Sequence, residues 1–177
     1  MIKLFTTSVL LLVNMNSNIN VHQNNSTIKD WSESKLTFDD FKATPKSKTG
    51  IKGEFSTKIS WTVAEQEGAL PIYKMYNKMD SSKSWMNKKH DELLKEYQFC
   101  WDLGELYTRK IRKDIELLNK NKVHDKEKYK ATITKHVLNY RKQRAKYDGV
   151  LYNQPDLYKI INKQYQDSLN LYKGYKI

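Results

Sequence analysis

The chain of 177 residues holds one cysteine, three prolines and six glycines, and each scarcity removes a class of protein. A lone thiol, Cys100, cannot close a disulfide within the chain, so stability must come from packing and polar pairing even in an oxidising compartment. The glycines form neither a G-x-S-x-G elbow nor a phosphate-binding loop, and no motif histidine accompanies the cysteine. The four histidines, His22, His90, His124 and His136, are never four residues apart. No two imidazoles are therefore ready to face one metal from a single helix.

Long apolar runs are missing too. The opening run over 4–13 is far too short to cross a bilayer as a helix. With Lys3 before it and a polar, asparagine-rich stretch after it, it reads as a secretory signal peptide. The expected organisation is a signal peptide over 1–22, cleaved near 17–21, a flexible lead-in over 23–30, and a single domain over 31–177. The mature chain is then secreted or periplasmic, without a transmembrane segment and without a cysteine placed to carry a lipid.

What is abundant is positive charge. The formal charge is +12, or about +11 once Lys3 leaves with the signal, enough to favour anionic surfaces through long-range fields. Basic residues interleave with tyrosines in "YRKQRAKYD", where Arg141, Lys142, Arg144 and Lys146 are candidates for holding an anionic glycan, lipid head group or nucleic acid.

The first half of the domain has strand and turn character. "WSESKLTFDDFKA" reads as a first strand or turn, with Asp39 and Asp40 as turn or cap residues. "KGEFSTKISWTV" alternates, Phe55, Ile59 and Trp61 against Glu54, Lys58 and Ser60, as a half-buried strand does. "LPIYKMYNKMD" alternates again, with Ile72, Lys74 and Tyr76 on one side and Tyr73, Met75 and Asn77 on the other.

Beyond Trp85 the period changes. Leu94, Tyr97, Trp101, Gly104, Thr108, Ile111, Ile115 and Leu118 recur at spacings of three and four, and Phe99, Leu103 and Leu106 form an adjoining apolar face. This predicts a long core helix from near Asn87, broken over 119–124. A second helix is predicted over 126–145 and a third over 155–172, with Pro155 in its first turn. The expected class is α+β: a small antiparallel sheet followed by a long core helix and two further helices.

The runs "KLTFDDFKA", "KSWM" and "LLKEYQFCWDLGELYTRKIRK" resemble a secreted bacterial family of zinc-dependent proteases of unknown physiological role. Its members carry a strand motif close to L-T-W-x-D-F and an S-W ahead of a helix motif close to L-L-K-H-E-Q-x-H-F-D-x-x-E-L-Y-A-R-K-L-R-K. A later family stretch close to Y-D-x-x-T-x-H is matched by "YDGVLYN", 147–153. The resemblance covers most of 31–169, and Gln98, Asp102, Glu105, Tyr107, Arg109, Lys110 and Arg112 fall in one ungapped register. It implies a zincin-like fold and a zinc cofactor.

The departures from that frame fall on its chemistry. In an H-E-x-x-H helix two histidines at i and i+4 hold one zinc while the glutamate serves as general base. Here the first ligand position is Glu96, the base position Tyr97 and the second ligand position Cys100. A phenol with an ordinary value near 10 cannot replace the carboxylate base at neutral pH. Asn153 stands where the family stretch has its histidine, and Glu105 keeps a carboxylate with no assigned role.

No catalytic residue and no cofactor are therefore assigned, because the zinc that the resemblance implies has lost its ligands. The expected function is a catalytically inactive homologue of a zinc-dependent metalloprotease with a binding or structural role. Its partner is a peptide or protein, or an anionic surface. One alternative is a basic binding module; the other is a residual metallopeptidase with an atypical site of Glu96, Cys100 and Glu105. The bland readings are that Glu96 is a solvated or salt-bridged carboxylate, that Cys100 is a small buried apolar residue, and that Glu105 pairs with Arg109 at helical spacing.

Overall fold

A computed structural model describes residues 27–46, 50 and 52–177. The assigned signal peptide and the first half of the lead-in, 23–26, lie outside these residues. The architecture is α+β. Five strands, β1 (Ile28–Asp30), β2 (Gly53–Glu54), β3 (Thr57–Ala64), β4 (Ile72–Asp80) and β5 (Trp85–Met86), precede α1 (Asp91–Lys120), α2 (Lys126–Tyr147) and α3 (Pro155–Leu171).

The strands form two antiparallel sheets, one ordered β1-β4-β3 and one pairing β2 with β5. β4 is central, so its alternation is the cleanest: Met75, Asn77 and Met79 are buried while Ile72 and Lys74 are exposed. That inner face packs on α1 together with Ile59 of β3. β1 uses residues expected to be flexible lead-in, because pairing Ile28 with Asp80 extends the sheet to the far end of β4.

The segment after Trp31 is not a strand. Asp40 accepts the Thr37 N–H at 2.7 Å and holds a 3₁₀ turn at Phe38–Asp40. The long strand expected over "KGEFSTKISWTV" is broken after Glu54. Phe55 turns into the core, and Ser56 donates its N–H to Ser84 Oγ at 3.0 Å and accepts from Asp80 N at 2.9 Å. The chain thereby passes from the small sheet to the larger one.

The core helix α1 is capped by His90, whose Nδ1 accepts from Leu93 N, and carries Asp91 and Glu92 in its first turn and Lys120 in its last, as the helix dipole favours. From Phe99 to Arg109 it is buried on every side, with the sheet on one face and α2 and α3 on the others. Leu94, expected in the core stripe, is only half-buried. Gly104 answers to a close crossing: a Cβ there would lie 2.6 Å from Asn77 Oδ1, and Asn77 Nδ2 donates to the Trp101 carbonyl at 2.7 Å. α2 buries Tyr129, Ile133, His136 and Tyr140 at spacings of four, three and four. His136 is thus no surface histidine; its Nε2 meets Asp114 at 2.8 Å. Pro155 opens α3, where the missing N–H costs nothing.

Candidate functional site

The positions that the resembled frame would give to zinc chemistry lie on the first half of α1, against the turn that joins α2 to α3. α2 ends at Tyr147; Asp148 N closes on the Arg144 carbonyl, and Gly149 takes a positive φ of 79°. A 3₁₀ turn at Leu151–Asn153 follows, with the Leu151 side chain sunk in the core. This path aims two backbone amides at one side chain. Gly149 N donates to Glu96 Oε1 at 2.7 Å and Tyr152 N to Glu96 Oε2 at 2.8 Å.

Glu96 has no exposed surface, which overturns its reading as a solvated or salt-bridged carboxylate. Burial raises its pKa, the amides of Tyr152 and Gly149 pull it back, and the nearby Asp148 charge pushes it up again. The buried carboxylate acts as a clasp: it supplies the acceptors that an irregular turn needs once its amides leave water.

Tyr97 stacks on Phe55 with ring centroids 5.2 Å apart and on Phe41 at 5.6 Å. It reaches over Gly53, where a Cβ would lie 2.8 Å from its hydroxyl and 2.8 Å from the Trp85 carbonyl. Burial raises the phenol pKa well above its ordinary value, so it stays protonated. Cys100 is wholly buried. Burial also drives its thiol upward, against the pull of the Arg144 guanidinium. Arg144 is itself turned inward, donating from Nη2 to the Phe55 carbonyl at 2.6 Å.

A cavity of about 310 Å³ opens beside Glu96 and Tyr97, between Gly53 and the Gly149 turn. Asn153 is exposed and does not line it. These residues are committed within the fold in a way that does not suit a zinc ion: both Glu96 oxygens already accept amides, Cys100 is wholly buried, and Tyr97 is engaged in ring stacking. Glu105 does not join them. Nine residues along the helix it points about 180° away from Glu96. There it accepts from Arg109 Nε at 2.9 Å and Arg112 Nη1 at 3.0 Å. Among the described residues no three His, Cys, Asp or Glu side chains come together as a metal site would require.

The Glu105 cluster is a fastening. Arg109 Nη1 donates onward to the Leu169 carbonyl at 2.9 Å, and Arg112 donates to the Tyr175 and Met75 carbonyls at 2.8 and 2.7 Å. One carboxylate and two guanidinia thus tie α1 to α3, the C-terminal turn and β4. Asp102 is a second hub, one the sequence did not single out. It accepts from Trp31 Nε1, Gln98 Nε2 and Gln166 Nε2, each at 2.8 Å.

Of the four basic candidates on α2, Arg141, Lys142 and Lys146 are exposed, whereas Arg144 is largely buried. Arg141 and Arg144 share a groove of about 290 Å³ with the start of β3. No helix among the described residues is long and apolar enough to cross a membrane. Comparison with protein-family models, curated proteins and solved structures returns no match for this chain.

Proposed function

We propose that this chain is a catalytically inactive relative of the secreted zinc-dependent proteases its helix resembles, exported by its N-terminal signal and acting as a binding or structural module with a zincin-like ancestry. The observation that carries this reading is the state of Glu96: at the first ligand position of the frame stands a carboxylate whose two oxygens take the N–H groups of Gly149 and Tyr152. A buried carboxylate whose oxygens are both given to backbone amides supports a structural role at that position. The buried thiol at Cys100 and the stacked phenol at Tyr97 agree with it, since both serve packing.

The test is the metal content of the purified chain after exposure to zinc and dialysis, together with peptide hydrolysis with and without chelator. The expected result is no retained zinc and no chelator-sensitive hydrolysis. Stoichiometric zinc accompanied by chelator-sensitive cleavage would overturn the proposal.

A further inference from the structure

The sheet leaves one side unfinished. Among the described residues β3 is an edge strand, paired with β4 alone. Trp61 pairs across with Met75, and Val63 with Tyr73. Partners in an antiparallel pair share a face, so Trp61 and Val63 belong to the face that α1 covers elsewhere. Yet Met75 is 1% exposed while Trp61 is 47% and Val63 43% exposed. The packed face of the sheet therefore runs out from under its cover along the outer half of β3, where two large apolar side chains meet water.

At the inner half of the same edge a groove of about 290 Å³ separates Lys58 and Ile59 from Val137, Tyr140, Arg141 and Arg144 of α2. Its polar groups are incompletely used. Tyr140 is 4% exposed, and its hydroxyl makes no well-formed hydrogen bond; nor does Arg144 Nε. Three cations, Lys58, Arg141 and Arg144, face the groove against one carboxylate, Asp148, which lies 3.6 Å from Arg144 Nε. The Tyr140 hydroxyl and Arg144 Nε, buried and short of a well-formed hydrogen bond under an excess of positive charge, match an incoming carboxylate.

We infer that the free edge of β3 takes up an extended acidic peptide as an added strand, with a carboxylate in the groove at Tyr140, Arg141 and Arg144 and an apolar side chain on Trp61 and Val63. Strand addition satisfies the unpaired backbone of an edge and reads alternate side chains. The acidic and apolar anchors must then be separated by an even step, two or four residues, to reach the same face. A second copy of this chain is the poorer occupant, because it would set Lys58 and Arg141 against cations of the same kind. The inference rests on the proposed binding role and gives that role its partner class.

Fluorescence anisotropy of labelled short peptides tests it. The probe alternates threonine and valine, with one glutamate two residues from a valine; its controls replace the glutamate by lysine or break the backbone with N-methyl groups. The glutamate peptide should bind, weaken with added salt, and lose about tenfold or more in affinity in either control and in Arg141→Glu, Lys58→Glu or Trp61→Ala. All three variants change exposed side chains, and circular dichroism confirms their folding. Equal binding of the glutamate and lysine peptides, parent-like binding by the variants, absence of binding, or dimerisation of the chain through this face would each overturn the inference. Failure to bind by a chain that remains zinc-free and inert removes this inference alone, whereas cleavage of the peptide counts against the proposed function.

Discussion

The carboxylate of Glu96 accepts the backbone N–H of Gly149 at 2.7 Å, across 53 residues of sequence, and so fixes the end of α2 to the first half of α1. Its other oxygen does the same for Tyr152. Replacing Glu96 by alanine leaves both amides without acceptors, and the expected loss is on the order of 2–3 kcal/mol of unfolding free energy. Urea unfolding gives the magnitude. Amide hydrogen exchange gives the location, because Gly149 and Tyr152 should lose protection while β4 keeps its own.

Gly149 itself is needed for its backbone. Its φ is 79°, and no atom lies within 4 Å of a Cβ built there. Gly149→Ala should therefore cost about 1–2 kcal/mol through conformation alone, and a further change to a larger side chain should cost little more. A steep increase with side-chain size would show that the position is packed.

The Glu105 cluster separates buried from exposed ion pairs. Glu105 and Arg109 have side chains 3% and 5% exposed, so Glu105→Ala strands two guanidinia and should destabilise by about 3–5 kcal/mol. Glu92 pairs with Lys95 on the surface of the same helix, and Glu92→Ala should change stability by no more than about 1 kcal/mol. Chemical denaturation of both variants checks the contrast.

Stability should also carry a signature of the buried carboxylates. Burial raises the pKa of Glu96 and of Asp102, so each holds its proton more tightly folded than unfolded. Such a group contributes stability that is fully present below the ordinary carboxylate value, about 4, and is lost as pH rises through the folded value. Asp80 acts in the opposite sense: the Ser82 hydrogen bond, with help from Lys83, lowers its pKa, so its contribution is present above the ordinary value and lost as pH falls. Urea midpoints measured upward from about pH 4 should decline less in Glu96→Gln and Asp102→Asn than in the parent. An unchanged profile in both variants would contradict the burial argument.

The helices are legible in the sequence because their signals are local: apolar spacings of three and four through α1, and Pro155 at the start of α3. The strand alternation of β4 is legible for the same reason. What the sequence hides is cover. Trp61 alternates like a core residue, but nothing in the spacing of β3 says that α1 stops short of it. Glu96 is the sharper case. A charged residue at that register reads as solvated, and only the fold brings two amides from residues 149 and 152 to meet it. The partnership of Glu105 with Arg109 follows from helical spacing, whereas the reach of Arg109 and Arg112 to Leu169 and Tyr175 depends on long-range topology. β1 escapes notice because three residues of pairing are too short to leave a pattern.

The central proposal is that Glu96, Tyr97 and Cys100 serve structure and hold no metal. Thermal unfolding of the parent in excess zinc and in chelator tests it most directly, since an ion that binds only the folded chain must raise the midpoint. Glu96→Ala provides the comparison. The account predicts the same midpoint for the parent in both conditions and a lower one for Glu96→Ala that zinc does not restore. A parent that loses stability in chelator and regains it with zinc would contradict the account.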